Sequence, residues 1–290
     1  MEAIQDSFRT KGYITDQETA VALRLLMELE KPLLVEGPAG VGKTEIAKVL
    51  AGVLNTRLIR LQCYEGLDAN MALYEWNYPK QMLHIRLTEN QDESVAEKEE
   101  EIFSRRFLLQ RPLLDALLAE ERPPVLLIDE VDRADREFEA FLLEILGEFQ
   151  VTIPELGTIR ARHKPHVILT SNRSRELSDA LRRRCLYQWI PYPDLEKEIE
   201  ILQIKLPDIH KQLAVQVAEM MKKVRSMPLN KIPGVAESLD WAKALAVLHE
   251  GELQADTIQQ TFSCFLKDHE DWEAVQERLA QGELLKEQHS

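Results

Sequence analysis

The chain has 290 residues, 44% hydrophobic and 30% charged, with a formal net charge of −14. That profile suits a globular protein of one large domain or two smaller ones, and no run approaches the ~18 apolar residues of a membrane span. The acidic balance argues against general nucleic-acid binding. The polar start from Met1 to Lys11 carries no apolar signal core, and Cys63, Cys185 and Cys264 are too scattered for a metal or disulfide framework, so a cytoplasmic protein is expected.

Thr15-Asp16-Gln17-Glu18 has the form of a capping box, and Val21, Ala22, Leu25, Leu26 and Leu29 give the stripe of a helix that ends before Pro32. Leu33-Leu34-Val35 then predicts a short buried strand running into glycines, and Thr44 to Leu54 a helix. Arg57 to Gln62 alternates as a second strand. Tyr74, Trp76 and Tyr78, two apart within a mixed aromatic segment, predict a hairpin arm at about 70–87. Glu89 to Glu101 has no apolar face and is expected as a solvated loop or helix end. Phe107 to Leu118 is expected to be helical despite Pro112. Val125 to Ile128 is a continuous apolar run fit for a central parallel strand. Phe138, Phe141, Leu142, Ile145, Leu146 and Phe149 follow helical spacing, 150–161 predicts a second hairpin around Pro154 and Gly157, and His166 to Thr170 another buried strand. After Ile190-Pro191-Tyr192-Pro193 only helical stripes follow, among them Leu213, Val217, Met220, Met221 and Val224, then Ile258, Phe262, Phe265 and Leu266. The expected organisation is an α/β domain over 1–190 and an all-helical one over 191–290.

The chemistry-bearing pattern begins at Gly37-Pro38-Ala39-Gly40-Val41-Gly42-Lys43-Thr44, a complete G-x-x-x-x-G-K-[ST] followed by Glu45 at the head of the helix. Its glycines let successive amides wrap phosphate oxygens while the helix N-terminus faces the same anion. Lys43 is expected on the β- and γ-phosphates and the Thr44 hydroxyl on magnesium. Leu126-Leu127-Ile128-Asp129-Glu130 supplies the partner: Asp129 at a strand end to share the metal, Glu130 beside it as general base. Taken alone this pair could simply cap the next helix, but the phosphate loop upstream gives it a purpose. Asn172, after another buried strand, can bond the γ-phosphate or the lytic water, although asparagine also favours strand-end turns. Arg182, Arg183 and Arg184 form either a solvated helix end or a source of one guanidinium for transition-state charge. A finger serving a neighbour's nucleotide would require an oligomer.

The order of phosphate loop, Asp-Glu strand, Asn strand, Arg-rich segment and helical tail resembles an AAA+ ATPase. Asp129-Glu130-Val131-Asp132-Arg133-Ala134 and Leu143 to Val151 are similar to the MoxR family. Leu61 to Asp68, Tyr74-Glu75-Trp76-Asn77-Tyr78, Arg111-Pro112-Leu113-Leu114 and Pro233 to Trp241 resemble its CoxD-like branch. The resemblance implies a P-loop parallel sheet of five strands with flanking helices, a helical lid, and a ring, usually hexameric, binding ATP and Mg2+ at subunit interfaces. It makes Asn172 the sensor-1 residue, favours Arg184 and then Arg183 as the finger, and makes Gln62 a switch holding Glu130 off the water. The 70–87 insert and the 150–161 hairpin would face a pore or partner. Tyr13 and Ile14 either line the base pocket or anchor the first helix. CoxD-like proteins are associated with maturing a molybdenum hydroxylase metal centre alongside a von Willebrand A-domain partner. Around Val235-Ala236-Glu237 the expected sensor-2 arginine is missing, which leaves open an ATP-gated adaptor with little turnover. The Arg-Arg-Cys ending raises a clamp-loader-like DNA machine, against which the acidic balance stands.

Overall fold

The structure is a computed structural model and describes residues 2–89, 94–248 and 253–284. It divides into two compact units. The first holds Gln17–Glu36 and Thr44–Trp189; the second holds Glu2–Asp16, Gly37–Lys43 and the chain from Ile190 onward.

The strands are β1 (Leu33–Glu36), β2 (Leu58–Gln62), β3 (Tyr74–Trp76), β4 (Leu108–Gln110), β5 (Val125–Asp129), β6 (Gln150–Ile153), β7 (Gly157–Arg160), β8 (His166–Ser171) and β9 (Leu186–Trp189). Five of them form one sheet in the order β2-β5-β8-β1-β9, and every pairing in it is parallel. Every residue of β1 and of β5 is buried, which is why both are unbroken apolar runs up to their terminal acids. The register sets Gln62 opposite Asp129 and Glu36 opposite Ser171. Their shared C-terminal edge therefore gathers the polar ends of four strands, the place where open α/β sheets present ligand-binding groups.

The helix Gln17–Leu29 buries Thr19, Ala20, Ala22, Leu23 and Leu26. Two members of the expected stripe, Leu25 and Leu29, are exposed instead, so the helix is turned slightly from the anticipated face. The expected hairpin at about 70–87 is not formed. β3 pairs antiparallel with β4, far along the chain, and Tyr78–Leu87 is a helix capped by Asn77, whose side chain accepts from the Lys80 amide. Pro79 at the helix start was the signal against a strand there. The helix expected over Phe107 to Leu118 is likewise split: Leu108–Gln110 is β4, and Pro112 opens a short helix, Pro112–Leu117. In the acidic segment, Ser94 and Glu97 close a reciprocal capping box on the helix Val95–Ile102, and 90–93 lie outside the described residues. β6 and β7 form the hairpin expected at 150–161. β9, a half-exposed edge strand, had no sequence signal.

The second unit is helical. Leu213, Val217, Met220, Met221, Val224, Ile258, Phe262 and Phe265 pack around the fully buried Trp241, whose indole N–H donates to Thr261 Oγ1 at 2.8 Å. Residues 2–16 and 37–43, expected in the α/β part, belong here. For 37–43 the reason is close backbone contact, since a Cβ on Gly37 would lie 2.2 Å from the Ile190 carbonyl oxygen; for 2–16 it includes the Lys197–Asp16 ion pair at 3.4 Å.

Candidate functional site

In the first unit, β5 ends on Asp129 and the chain turns sharply. Glu130 takes the left-handed conformation, φ 55° and ψ 50°, uncommon for a residue with a side chain. Its backbone N–H donates to Thr170 Oγ1 at 2.9 Å. The turn sends the two adjacent carboxylates to different partners.

Asp129 is almost fully buried. Its Oδ1 accepts from the Thr44 hydroxyl at 2.9 Å and from the Thr170 hydroxyl at 2.6 Å. Its Oδ2 accepts from the Arg60 guanidinium, 2.6 Å from Nη2 and 3.1 Å from Nε. Glu130 receives Gln62 Nε2 at 3.0 Å on Oε2, Asn172 Nδ2 at 3.3 Å on Oε1 and Arg133 Nε at 3.1 Å on Oε2. Asp132 completes the frame, accepting the Asn172 amide at 3.2 Å and the Ser174 amide and hydroxyl at 2.8 and 2.7 Å. The strand ends thus bring together Thr44, Asp129, Glu130, Asn172 and Gln62. The acids leave a mark on the neighbouring thiol. Burial first, and then the charges of Asp129, Asp132 and Glu130, push Cys63 up to about 12.

In the second unit, the loop 37–43 has left-handed Gly40 and Gly42, φ 75° and 89°, angles that favour glycine. Lys43 is buried, and its Nζ donates to the Gly37 and Pro38 carbonyls at 2.8 and 2.6 Å. The Gly40 carbonyl accepts from the amides of Val235 and Ala236 at 3.0 and 3.3 Å. Gly234 makes that approach possible, since a Cβ there would lie 2.7 Å from the Ala39 oxygen. Glu237 closes on its own helix start, accepting from the Gly234 amide at 2.8 Å. Tyr13 stands beside the loop, its Cε2 3.6 Å from where a Gly42 Cβ would be, and packs edge-on against Phe8 at 5.9 Å.

Two arginines escaped the sequence reading. Arg60 alternates with apolar neighbours and looked like an ordinary outward strand residue. Arg225 ends the helix Lys211–Arg225, nine residues before Gly234, and its buried guanidinium holds that loop. It donates to the Pro233 carbonyl at 2.8 Å, the Gly234 carbonyl at 3.1 Å and Ser238 Oγ at 2.8 Å, while Glu198 grips it bidentately at 2.6 and 2.8 Å. No signal in the sequence linked it to residues 233–238. Glu45, the last residue expected at the loop, pairs with Lys48 at 3.3 Å. Arg182, Arg183 and Arg184 are exposed at the end of the helix Asp179–Arg184. Among the described residues none of them bonds to Thr44, Asp129, Glu130 or Asn172.

The donor set at Asp129 suits magnesium, a hard cation that takes carboxylate and hydroxyl oxygens and retains waters. Thr44 and Asp129 would hold it.

Comparison with known proteins agrees with this architecture. The family model for the AAA domain (dynein-related subfamily) matches residues 32–185, more than half of the 290. An uncharacterised protein of Staphylococcus epidermidis is 25% identical over 221 residues, covering 73% of this chain and 75% of its own. Two solved mutants of Thermotoga maritima RuvB superpose with a TM-score of 0.50 at 20% identity. One match covers 85% of this chain and 68% of the RuvB chain, the other 89% and 71%. At that identity the likeness speaks for the fold alone.

Proposed function

The chain belongs to the AAA domain family, dynein-related subfamily, and from that premise we propose that it is a magnesium-dependent ATPase of the MoxR type that remodels a client protein. The observation that carries this reading is the split of the acid pair, with Asp129 on Thr44 and Glu130 on Gln62 and Asn172. A metal chelated to the triphosphate would neutralise its charge and draw off charge as the γ-phosphoryl leaves.

The chain's own residues do the rest. Amides between Gly37 and Thr44 cradle the phosphates, and Lys43 exchanges its carbonyl partners for phosphate oxygens. Glu130 accepts a proton from the attacking water, and Asn172 fixes that water or the γ-phosphate. Gln62 holds Glu130 back until the site is filled. Arg184, with Arg183 next to it, reaches the nucleotide of a neighbouring copy in a ring, hexameric in the MoxR manner. The CoxD-like stretches support a metalloenzyme client and a von Willebrand A-domain partner.

Phosphate release by Glu130→Gln and isothermal calorimetry on Lys43→Ala test the assignment. Glu130→Gln should keep ATP binding and lose about 10²–10⁴-fold in turnover, and Lys43→Ala should lose binding. Undiminished turnover in Glu130→Gln would remove that residue from its role. One observation favours a second reading, an ATP-gated assembly adaptor. Glu130 already has three donors on its carboxylate, which restrains it as a base. Assembly with ATP but no phosphate release, even with client and partner added, would select the adaptor.

A further inference from the structure

The two oxygens of Asp129 are unequally served. Oδ1 meets only hydroxyls, from Thr44 and Thr170. Oδ2 meets a full positive charge, the Arg60 guanidinium, through both Nη2 and Nε. Arg60 is 50% exposed while Asp129 is 3% exposed, so a long solvated side chain reaches inward to a buried acid. The same guanidinium donates to Gln62 Oε1. That bond fixes which way the Gln62 amide points. With Oε1 turned to Arg60, Nε2 must face Glu130, and it does at 3.0 Å.

We propose that Arg60 is a positioning residue that competes with magnesium for Asp129 and thereby couples metal–nucleotide binding to the release of Glu130. The inference rests on the ATPase reading and adds a regulatory residue to it. A guanidinium and a divalent cation seek the same carboxylate and repel each other at this range. Arg60 is the partner able to leave, because its exposed stem can carry the charge back into water. Its departure removes the donor that orients Gln62. The amide then turns more freely, and one of the three restraints on Glu130 weakens, leaving Arg133 and Asn172. Asp129 thus reports metal occupancy to Glu130 along one chain of bonds, Asp129 to Arg60 to Gln62 to Glu130.

The test is binding of a fluorescent ATP analogue, without magnesium and across a magnesium titration, for the wild-type chain, Arg60→Gln and Arg60→Lys. Arg60→Gln should need about fivefold less magnesium for half-maximal enhancement, with magnesium-free affinity within about twofold of wild type. Arg60→Lys keeps the competing charge and should keep a magnesium requirement within about twofold of wild type. An unchanged or higher magnesium requirement in Arg60→Gln overturns the proposal. So does a magnesium-free affinity that shifts as much as the magnesium-bound one, which would place Arg60 on the phosphates instead. A wild-type chain that binds no analogue at all would sink the ATPase reading together with this one, whereas normal binding with an unmoved magnesium requirement sinks this one alone.

Discussion

His166 shows how one side chain outside the candidate site sets a pH dependence. It opens β8, and its Nδ1 is buried with no hydrogen-bond partner among the described residues. Burial draws its pKa below 6.5, and Glu30 opposes this more weakly. The folded chain therefore keeps the ring neutral where the unfolded chain takes up a proton. Below pH 6.5 the unfolded state binds more protons, so stability falls as pH drops toward the folded pKa. Melting curves of the wild type should shift to lower temperature from pH 6.5 toward 5, and His166→Gln should flatten that slope. An equally steep loss in the variant would assign it to another group. At this scale the site was partly legible. Lys43, Thr44, Asp129, Glu130 and Asn172 stand out as candidates because the chemistry proposed for them fixes both residue type and order. Thr170 and Arg60 were not, because a threonine inside an apolar strand and an arginine on an alternating one have ordinary explanations. Only the registers that set β2 and β8 on either side of β5 give them their partners.

At the scale of elements, the buried parallel strands and amphipathic helices were legible because burial on both faces, or along one stripe, dictates composition locally. The failures share a non-local cause. β3 finds its partner in β4, beyond an intervening helical stretch, so no hairpin spacing exists to be read. β9 is a four-residue edge strand with one buried residue, Gln188, and it is strand only because β1 lies alongside. The helix Val235–Val247 depends on another close approach. Its first amides meet the Gly40 carbonyl across Gly234, where a Cβ would fall 2.7 Å from Gly40 Cα. Gly234→Ala must push that helix away from the loop. The expected results are a loss of about 1–3 kcal/mol in unfolding free energy and weaker nucleotide binding at temperatures where the variant remains folded. Arg225→Ala strands the Glu198 carboxylate in the interior and should cost about 3–5 kcal/mol in chemical denaturation. A loss below 1 kcal/mol would mean that water reaches Glu198.

For the whole molecule, the question is whether each nucleotide is served by one chain or two. Arg184 is exposed and bonds within its own helix, to the Ala180 carbonyl at 3.2 Å. A finger acting across subunits predicts complementation. Glu130→Gln and Arg184→Ala should each be nearly inactive alone, yet a mixture should hydrolyse ATP faster than either, because one variant supplies an intact acid and the other an intact arginine. A mixture no faster than the mean of its parts would confine the arginine to its own chain or remove it from the reaction.

The glycine-rich turn at 37–43 is held in shape from residues 190, 235 and 236. The span that carries the family's signature therefore lacks the contacts that mould its own most diagnostic segment. Trimming the gene to that span, a natural choice for producing a minimal domain, would preserve the spelling of the motif and discard its mould. Such a fragment should bind nucleotide far more weakly than the intact chain, and its silence would say nothing about the parent.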